Sequence, residues 1–409
     1  MLKILHTADI HLDSPLKSLA LRDPELAEAA ATATRSAFRR IIDTAIEERV
    51  AAILIAGDLF DGQQRSARTG AFLIGELDRL RNHGVRVFYI KGNHDAENPV
   101  TGTIDFPDNV HVFDGRGGKV RLTDDVWIHG VSFAQRHAPE SLLPRFEPPV
   151  PGAINIGLLH TSLAGAKGHD VYAPCTAAEL AAHGFDYWAL GHVHARQIHV
   201  QTPCIVMPGT PQGRDIGEAG PKSATLIEIG GGISIREVPT SILEFMPVDV
   251  SVSEGDSDEE LRARIREALQ AAVQALVSDH GAIRLRLKGK SARRWQMLRD
   301  RDVWTETVSD IARETERLWL EQLVMEIESP RAAAEGGTAA NELGRMMEDI
   351  CKEAGFRAAA CERVDEILAA LPPELRRALA TNEASRDSLV DQITRAGQER
   401  VLAHMRGGR

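Results

Sequence analysis

Only four cysteines occur in the sequence, Cys175, Cys204, Cys351 and Cys361, and no two stand as a CxxC pair. A zinc knuckle and a dithiol redox motif are therefore excluded, and thiols so scattered in a chain of 409 residues read as small buried apolar groups rather than bridges. No apolar run is long enough to cross a bilayer, so no membrane association is expected. The opening residues, MLKILHTADIHLD, are interrupted by charged and polar side chains and hold no apolar signal core, which predicts a cytoplasmic protein. Positive charge is also in deficit. The formal net charge is -11, whereas a protein that grips nucleic acid through bulk charge is basic. Any DNA or RNA binding would have to come from local patches, bound cations or a partner. No internal repeat is present.

What the sequence does have is alternation. Residues 2–5, 51–56 and 85–90 read as short apolar strands, and residues 25–49 and 67–81 as helices between them. This β-α-β-α-β start predicts a layered α/β domain. Further strands are expected at 110–113, 126–131, 154–159, 187–190, 204–207, 224–229 and 233–238, with one helix near 176–182. The pattern predicts a β-sandwich of two sheets packed face to face, flanked by helices, over residues 1–240. A boundary is expected at 239–247. Beyond it, a strand at 248–252, a helix at 259–277, a strand at 282–287 and a helix at 293–300 predict a small α+β capping domain over 245–330. Residues 331–409 read as a charged, Ala-rich helical region.

Five motifs stand near the ends of predicted strands: Asp9-Ile10-His11, Gly57-Asp58-Leu59-Phe60-Asp61, Gly92-Asn93-His94-Asp95, His160-Thr161 and Gly191-His192-Val193-His194. Loops at the carboxyl ends of strands gather at one edge of an α/β sheet, so these residues can meet in space. Carboxylates and imidazoles with one Asn and no Cys suit borderline to hard divalent ions such as manganese, iron or zinc, rather than a thiolate zinc site. Two such cations a few ångströms apart can lower the pKa of a water and neutralise a phosphate. Each motif alone could be a turn or a surface histidine; five in this order leave that bland reading little room.

The ordered set D-x-H, GD-x-x-D, GNHD, H and GH-x-H resembles the calcineurin-like metallophosphoesterase superfamily. Within it the stretches ILHTADIHLDSPL, GDLFD, HTSLAGAKGHDVYAPC and YWALGHVHAR are similar to the DNA-repair exonuclease branch, the SbcD, Mre-type and YhaO-like proteins. The resemblance covers residues 1–240 well, 245–330 weakly and the C-terminal helices hardly at all. It implies that Asp9, His11 and His194 bind one metal ion, that Asn93, His160 and His192 bind a second, and that Asp58 bridges the two. It implies that His94 is no ligand but a proton donor or stabiliser at the leaving oxygen. Asp61 stands where some relatives carry a His, and is expected to position His94. The implied activity is hydrolysis of phosphodiester bonds in DNA by a manganese-dependent nuclease, in partnership with an SMC-like ATPase. Cyclic or small nucleotides are the alternative substrates, and a non-catalytic scaffold is the third reading. The DRG extension and HGG motif of protein phosphatases are absent.

Other residues take plainer readings. His6 and His129 are expected to be buried and hydrogen-bonded, and Trp127, Tyr187 and Trp188 to be core. Arg214, after the turn Pro208-Gly-Thr-Pro211, suits a phosphate contact and equally an ordinary surface arginine. The cations of 284–294 suit a DNA-facing edge or, by default, a solvated face. The C-terminal helices suit docking on the ATPase, a homodimer element or packing on their own chain.

Overall fold

All five residues of the strand Ala52–Ala56 are apolar and buried in the computed structural model. A strand covered on both faces requires a layer above and another below, and both are present. The structure describes residues 1–14, 16, 24–61, 66–96, 104–163, 172–329, 339–371, 376, 379–380 and 382–406. Met1–Met246 with Leu276–Ala282 form one compact unit, and Pro247–Ala275 with Ile283–Arg409 the other.

The first unit begins β1 (Leu2–Thr7), α1 (Pro24–Glu47), β2 (Ala52–Ala56), α2 (Ala67–Asn82), β3 (Arg86–Ile90), α3 (Asn93–Ala96) and β4 (Val110–Val112). It continues β5 (Gly118–Thr123), β6 (Val126–Val131), β7 (Ile154–His160), α4 (Ala177–Ala182) and β8 (Tyr187–Gly191). It ends β9 (Gln197–Gln201), β10 (Cys204–Met207), β11 (Ser223–Gly230) and β12 (Gly232–Pro239). The strands form two six-stranded sheets, ordered β12-β11-β1-β2-β3-β4 and β5-β6-β7-β8-β10-β9. β1, β2 and β3 run parallel in the first sheet, as do β6, β7 and β8 in the second.

Alternation along each strand assigns side chains to layers, because successive residues point to opposite faces. Leu5, Ile53 and Ile55 join the core beneath α1 and α2, with Phe38, Ile41, Leu73 and Leu77. Ile4, Leu54, Leu158 and Ala189 face inward between the sheets. Leu159, Trp188 and Leu190 turn to the opposite face of the second sheet and pack with Leu180 of α4. Each such Leu or Ile contributes roughly 1.5–3 kcal/mol by leaving water. The result is the predicted α/β architecture of two sheets flanked by helices.

Two strands of this unit were not expected from the sequence. β5 and β9 are the outer strands of the second sheet, and most of their residues are partly or fully exposed. An edge strand that buries no continuous face carries little of the apolar alternation that marks a strand.

The second unit holds β13 (Leu243–Val252), β14 (His280–Lys290) and β15 (Leu318–Glu328), with β13 and β14 each starting in the first unit. Its helices are α5 (Asp258–Ala275), α6 (Arg294–Arg299), α7 (Arg301–Arg313), α8 (Ala339–Lys352), α9 (Ala354–Ala370) and α10 (Glu383–Arg406). The division after Met246 falls within the expected boundary at 239–247, although β13 runs through it, and α7 and β15 add to the expected elements. The C-terminal helices belong to the same compact unit as the α+β module. Arg294 of α6 lies 3.1 Å from Glu399 of α10, and the guanidinium groups of Arg294 and Arg406 sit 4.1 and 4.6 Å from the Trp295 ring.

The basic stretch 284–294 is not a free edge. β14 is the central strand of the sheet β13-β14-β15. Arg284 forms a two-bond pair with Glu321, Arg286 and Lys288 share Asp249, and Arg293 reaches Asp258. Charges neutralised across strands in this way offer little field to a phosphate backbone.

Candidate metal centre

β1, β2, β3, β7 and β8 end at one place, and the chain there leaves the sheets in conformations that few side chains adopt. Asp9, His11, Asp58 and His192 all have positive φ, at 52°, 45°, 52° and 102°. Such backbone costs of order 1–3 kcal/mol per residue and persists only where the surroundings impose it. Here the loops are bonded to one another. Asp9 N donates to Gly57 O, His11 N to Asp58 O and Leu12 N to Leu59 O, each at 3.0 Å. His192 N donates to both carboxylate oxygens of Asp9, at 3.1 and 3.0 Å, and so ties the second sheet to the first. Thr210 Oγ1 donates to Asp9 O at 2.9 Å.

Two glycines make room for the side chains. A Cβ on Gly57, whose φ is +96°, would lie 2.3 Å from His160 Nδ1, and one on Gly92 would lie 2.2 Å from Asp58 Oδ1. Gly57→Ala is therefore expected to lower stability by about 1–3 kcal/mol from backbone strain alone and to displace His160. Thermal unfolding and manganese content of the purified variant check this; unchanged values for both would contradict it.

The ring and carboxylate atoms converge. His160 Nδ1 lies 2.9 Å from Ala56 O, so it must donate there, and Nε2 faces Asn93 Oδ1 at 2.9 Å and Asp58 Oδ2 at 3.4 Å. His11 Nε2 faces His194 Nε2 at 3.3 Å and Asp58 Oδ2 at 3.9 Å. Burial alone would lower the pKa of His160, but the Asp58 carboxylate outweighs it and pushes the imidazole up to about 9. Lone-pair donors set this closely against one another need a positive charge among them, which a proton or a cation can supply. The donor atoms of Asp9, His11 and His194 lie within 4.8 Å of one another, as do those of Asp9, Asp58 and His160, and those of His11, Asp58 and His94. Nitrogen and oxygen donors without thiolate, grouped so closely, fit a pair of divalent cations.

Of the nine residues singled out for this site, Asp9, His11, Asp58, Asn93 and His160 are buried, and Asp61, His94, His192 and His194 are partly exposed. Asp61 Oδ1 stands 3.6 Å from both His94 Nδ1 and His11 Nδ1, beyond hydrogen-bond range of either, so it acts on both as a nearby charge. Arg214 is neither a free surface arginine nor open to solvent on all sides. Its guanidinium lies 3.2 Å from Glu218 Oε1 and 3.0 Å from His194 Nδ1.

Two carboxylates at the site carried no assigned role in the sequence. Asp95, the last letter of GNHD, is fully buried and accepts from Leu59 N at 3.2 Å, Phe60 N at 2.9 Å and Gly92 N at 3.0 Å. Burial, with Asp58 nearby, pushes its pKa up to about 6 against those hydrogen bonds. Glu218 accepts from His194 Nδ1 at 2.6 Å. Burial alone would raise its pKa, but His194 and Arg214 hold the carboxyl well below its usual range. The motif itself could have flagged Asp95. Glu218 stands 24 positions from His194, at no spacing that carries a signal.

Residues 2–196 match the calcineurin-like phosphoesterase family, and residues 245–328 match the middle domain of the metallophosphoesterase YhaO. The Bacillus subtilis metallophosphoesterase YhaO is 36% identical over 241 residues, covering 56% of this chain and 58% of its own length. The DNA double-strand break repair protein Mre11 of Sulfolobus acidocaldarius is 24% identical over 293 residues, covering 67% of this chain and 70% of its own. That of Sulfurisphaera tokodaii is 28% identical over 250 residues, covering 56% and 60%. The chain therefore spans less than two thirds of the length of two of these three relatives.

Proposed function

We propose that the chain, whose residues 2–196 match the calcineurin-like phosphoesterase family, is a two-cation nuclease that hydrolyses phosphodiester bonds in DNA. The observation that carries the chemistry is the convergence of His160, Asn93, His11, His194, Asp9 and Asp58 on one small volume at the strand ends. In this reading Asp9, His11 and His194 hold one cation, Asn93, His160 and His192 the other, and Asp58 serves both. Manganese is taken as the cation because the family resemblance implies it; iron and zinc suit these donors as well. When bound, the cations supply Lewis acidity toward the phosphate and a nucleophile at neutral pH.

The protein's own part is positioning and proton transfer. The His94 side chain is 32% exposed, so it can reach a substrate oxygen, and its backbone N–H donates to Asp58 Oδ1 at 2.9 Å. It is assigned the proton that the leaving oxygen takes, with Asp61 steadying the charged ring. His94→Ala is expected to lower turnover by roughly 10²–10⁴-fold with both cations retained. Loss of a cation together with activity would instead make His94 a ligand.

DNA as the substrate is supported by the double-strand break repair proteins among the relatives. The deciding assay gives the manganese-loaded protein single- and double-stranded DNA, cyclic nucleotides and an aryl phosphodiester. Cleavage of DNA is the expected result; cleavage of small diesters alone, with an SMC-like ATPase also supplied, would defeat the nuclease reading. Such an ATPase is the proposed partner, and the exposed apolar residues Met346, Ile350, Ile367, Ile393 and Val401 on the C-terminal helices support a docking role for that region.

A further inference from the structure

We propose that Glu218 is a positioning residue that selects the tautomer of His194, keeping Nε2 unprotonated toward the cations by denying Nδ1 to Arg214. The inference rests on the two-cation reading above. A neutral imidazole has one N–H and one lone pair, a carboxylate only accepts, and a guanidinium only donates. His194 Nδ1 has both kinds of neighbour, Glu218 Oε1 at 2.6 Å and Arg214 Nη2 at 3.0 Å. It cannot satisfy both at once. Donation to Glu218 places the proton on Nδ1 and leaves the Nε2 lone pair facing His11 Nε2 at 3.3 Å, inside the donor group. Acceptance from Arg214 would place the proton on Nε2, where it blocks ligation.

The fold commits Glu218 to the first outcome. It closes a single 3-10 turn, Ile216–Glu218, capped by Asp215, whose Oδ1 accepts from Gly217 N at 2.7 Å. Glu218 Oε2 accepts from the backbone N of Arg214 at 2.8 Å, which anchors the carboxylate while Oε1 faces the ring. Arg214 Nη2 lies 3.2 Å from Glu218 Oε1 and 3.0 Å from His194 Nδ1, and of the two the ionised carboxylate is the stronger acceptor for its N–H. Partners of this type on ligating histidines are worth roughly 10–100-fold in metal affinity.

Manganese titration of the full chain by electron paramagnetic resonance tests the idea without substrate. Wild type is expected to bind two ions, and Glu218→Ala to weaken one of them by roughly 10–100-fold. Adding Arg214→Ala to Glu218→Ala is expected to restore most of that loss, because no donor then competes for Nδ1. Unchanged affinity in Glu218→Ala, or no recovery in the double variant, overturns the proposal; a merely structural role predicts a further loss on the second substitution. Ring nitrogen NMR of the metal-free wild type at alkaline pH, with His194 assigned by its absence in His194→Gln, needs no Glu218 variant to fold. A proton on Nδ1 supports the proposal and a proton on Nε2 overturns it. Wild type that binds no manganese defeats the two-cation reading itself, and that arm keeps the two failures apart.

Discussion

Asp58→Asn is expected to lower phosphodiester hydrolysis by roughly 10²–10⁴-fold, since several kcal/mol of charge stabilisation pass through the cations and each 1.4 kcal/mol is about a factor of ten. The geometry makes the substitution clean. Asp58 Oδ1 accepts from the backbone N of His94 at 2.9 Å, a bond that an amide oxygen can keep. Oδ2 faces His160 Nε2 at 3.4 Å and His11 Nε2 at 3.9 Å, and an NH2 group there can neither ligate nor bridge. The fold is therefore retained while cation binding suffers. Steady-state turnover of an aryl phosphodiester with manganese measures the effect, and circular dichroism checks the fold. A folded variant that keeps more than about a tenth of wild-type turnover, a deficit under 1.4 kcal/mol, would remove Asp58 from the proposed chemistry.

A second large effect is expected at Asp95, for a different reason. Its carboxylate is the acceptor for three buried backbone N–H groups, those of Leu59, Phe60 and Gly92. Asp95→Ala strands all three, and with about 1–3 kcal/mol lost per buried unsatisfied group the total comes to roughly 3–6 kcal/mol after relaxation. That is a large share of the roughly 5–15 kcal/mol that holds a typical protein folded. Denaturant unfolding followed by circular dichroism gives the number, and Asp95→Asn, which keeps one acceptor oxygen, is expected to lose less. Stability within about 1 kcal/mol of wild type in the Ala variant would show that the loops of β2 and β3 are held by something else.

These two residues also show what the sequence made legible. Asp58 stands out because its chemistry needs a carboxylate beside imidazoles, and the motifs Asp9-Ile10-His11, Gly57-Asp58 and His192-Val193-His194 announce such a set by type and order. Asp95 stands in the same motif as Asn93, so its place could be flagged, but its work on backbone groups is visible only in the fold. Glu218 is less legible still: only the fold brings the turn after β10 against His194. The two-sheet architecture was readable because buried strands such as β2 and β8 carry dense apolar runs. The edge strands β5 and β9 were not, because exposed pairing needs no such run. The cations of β14 suggested a DNA-facing edge among other readings; the structure instead pairs them across the sheet.

Four of the proposed ligands, Asp9, His11, Asp58 and Asn93, leave strands of the first sheet, and three, His160, His192 and His194, leave strands of the second. With cations held there, any fluctuation that parts the two sheets at their carboxyl ends would have to let go of them first. Occupancy and opening become linked equilibria: at a cation concentration about a hundred times its dissociation constant, each site adds about 2.7 kcal/mol to the work of opening. The seam of the sandwich, closed also by side-chain packing and by bonds such as those from His192 N to Asp9 and from His160 Nδ1 to Ala56 O, would then act as a latch whose strength follows the supply of metal.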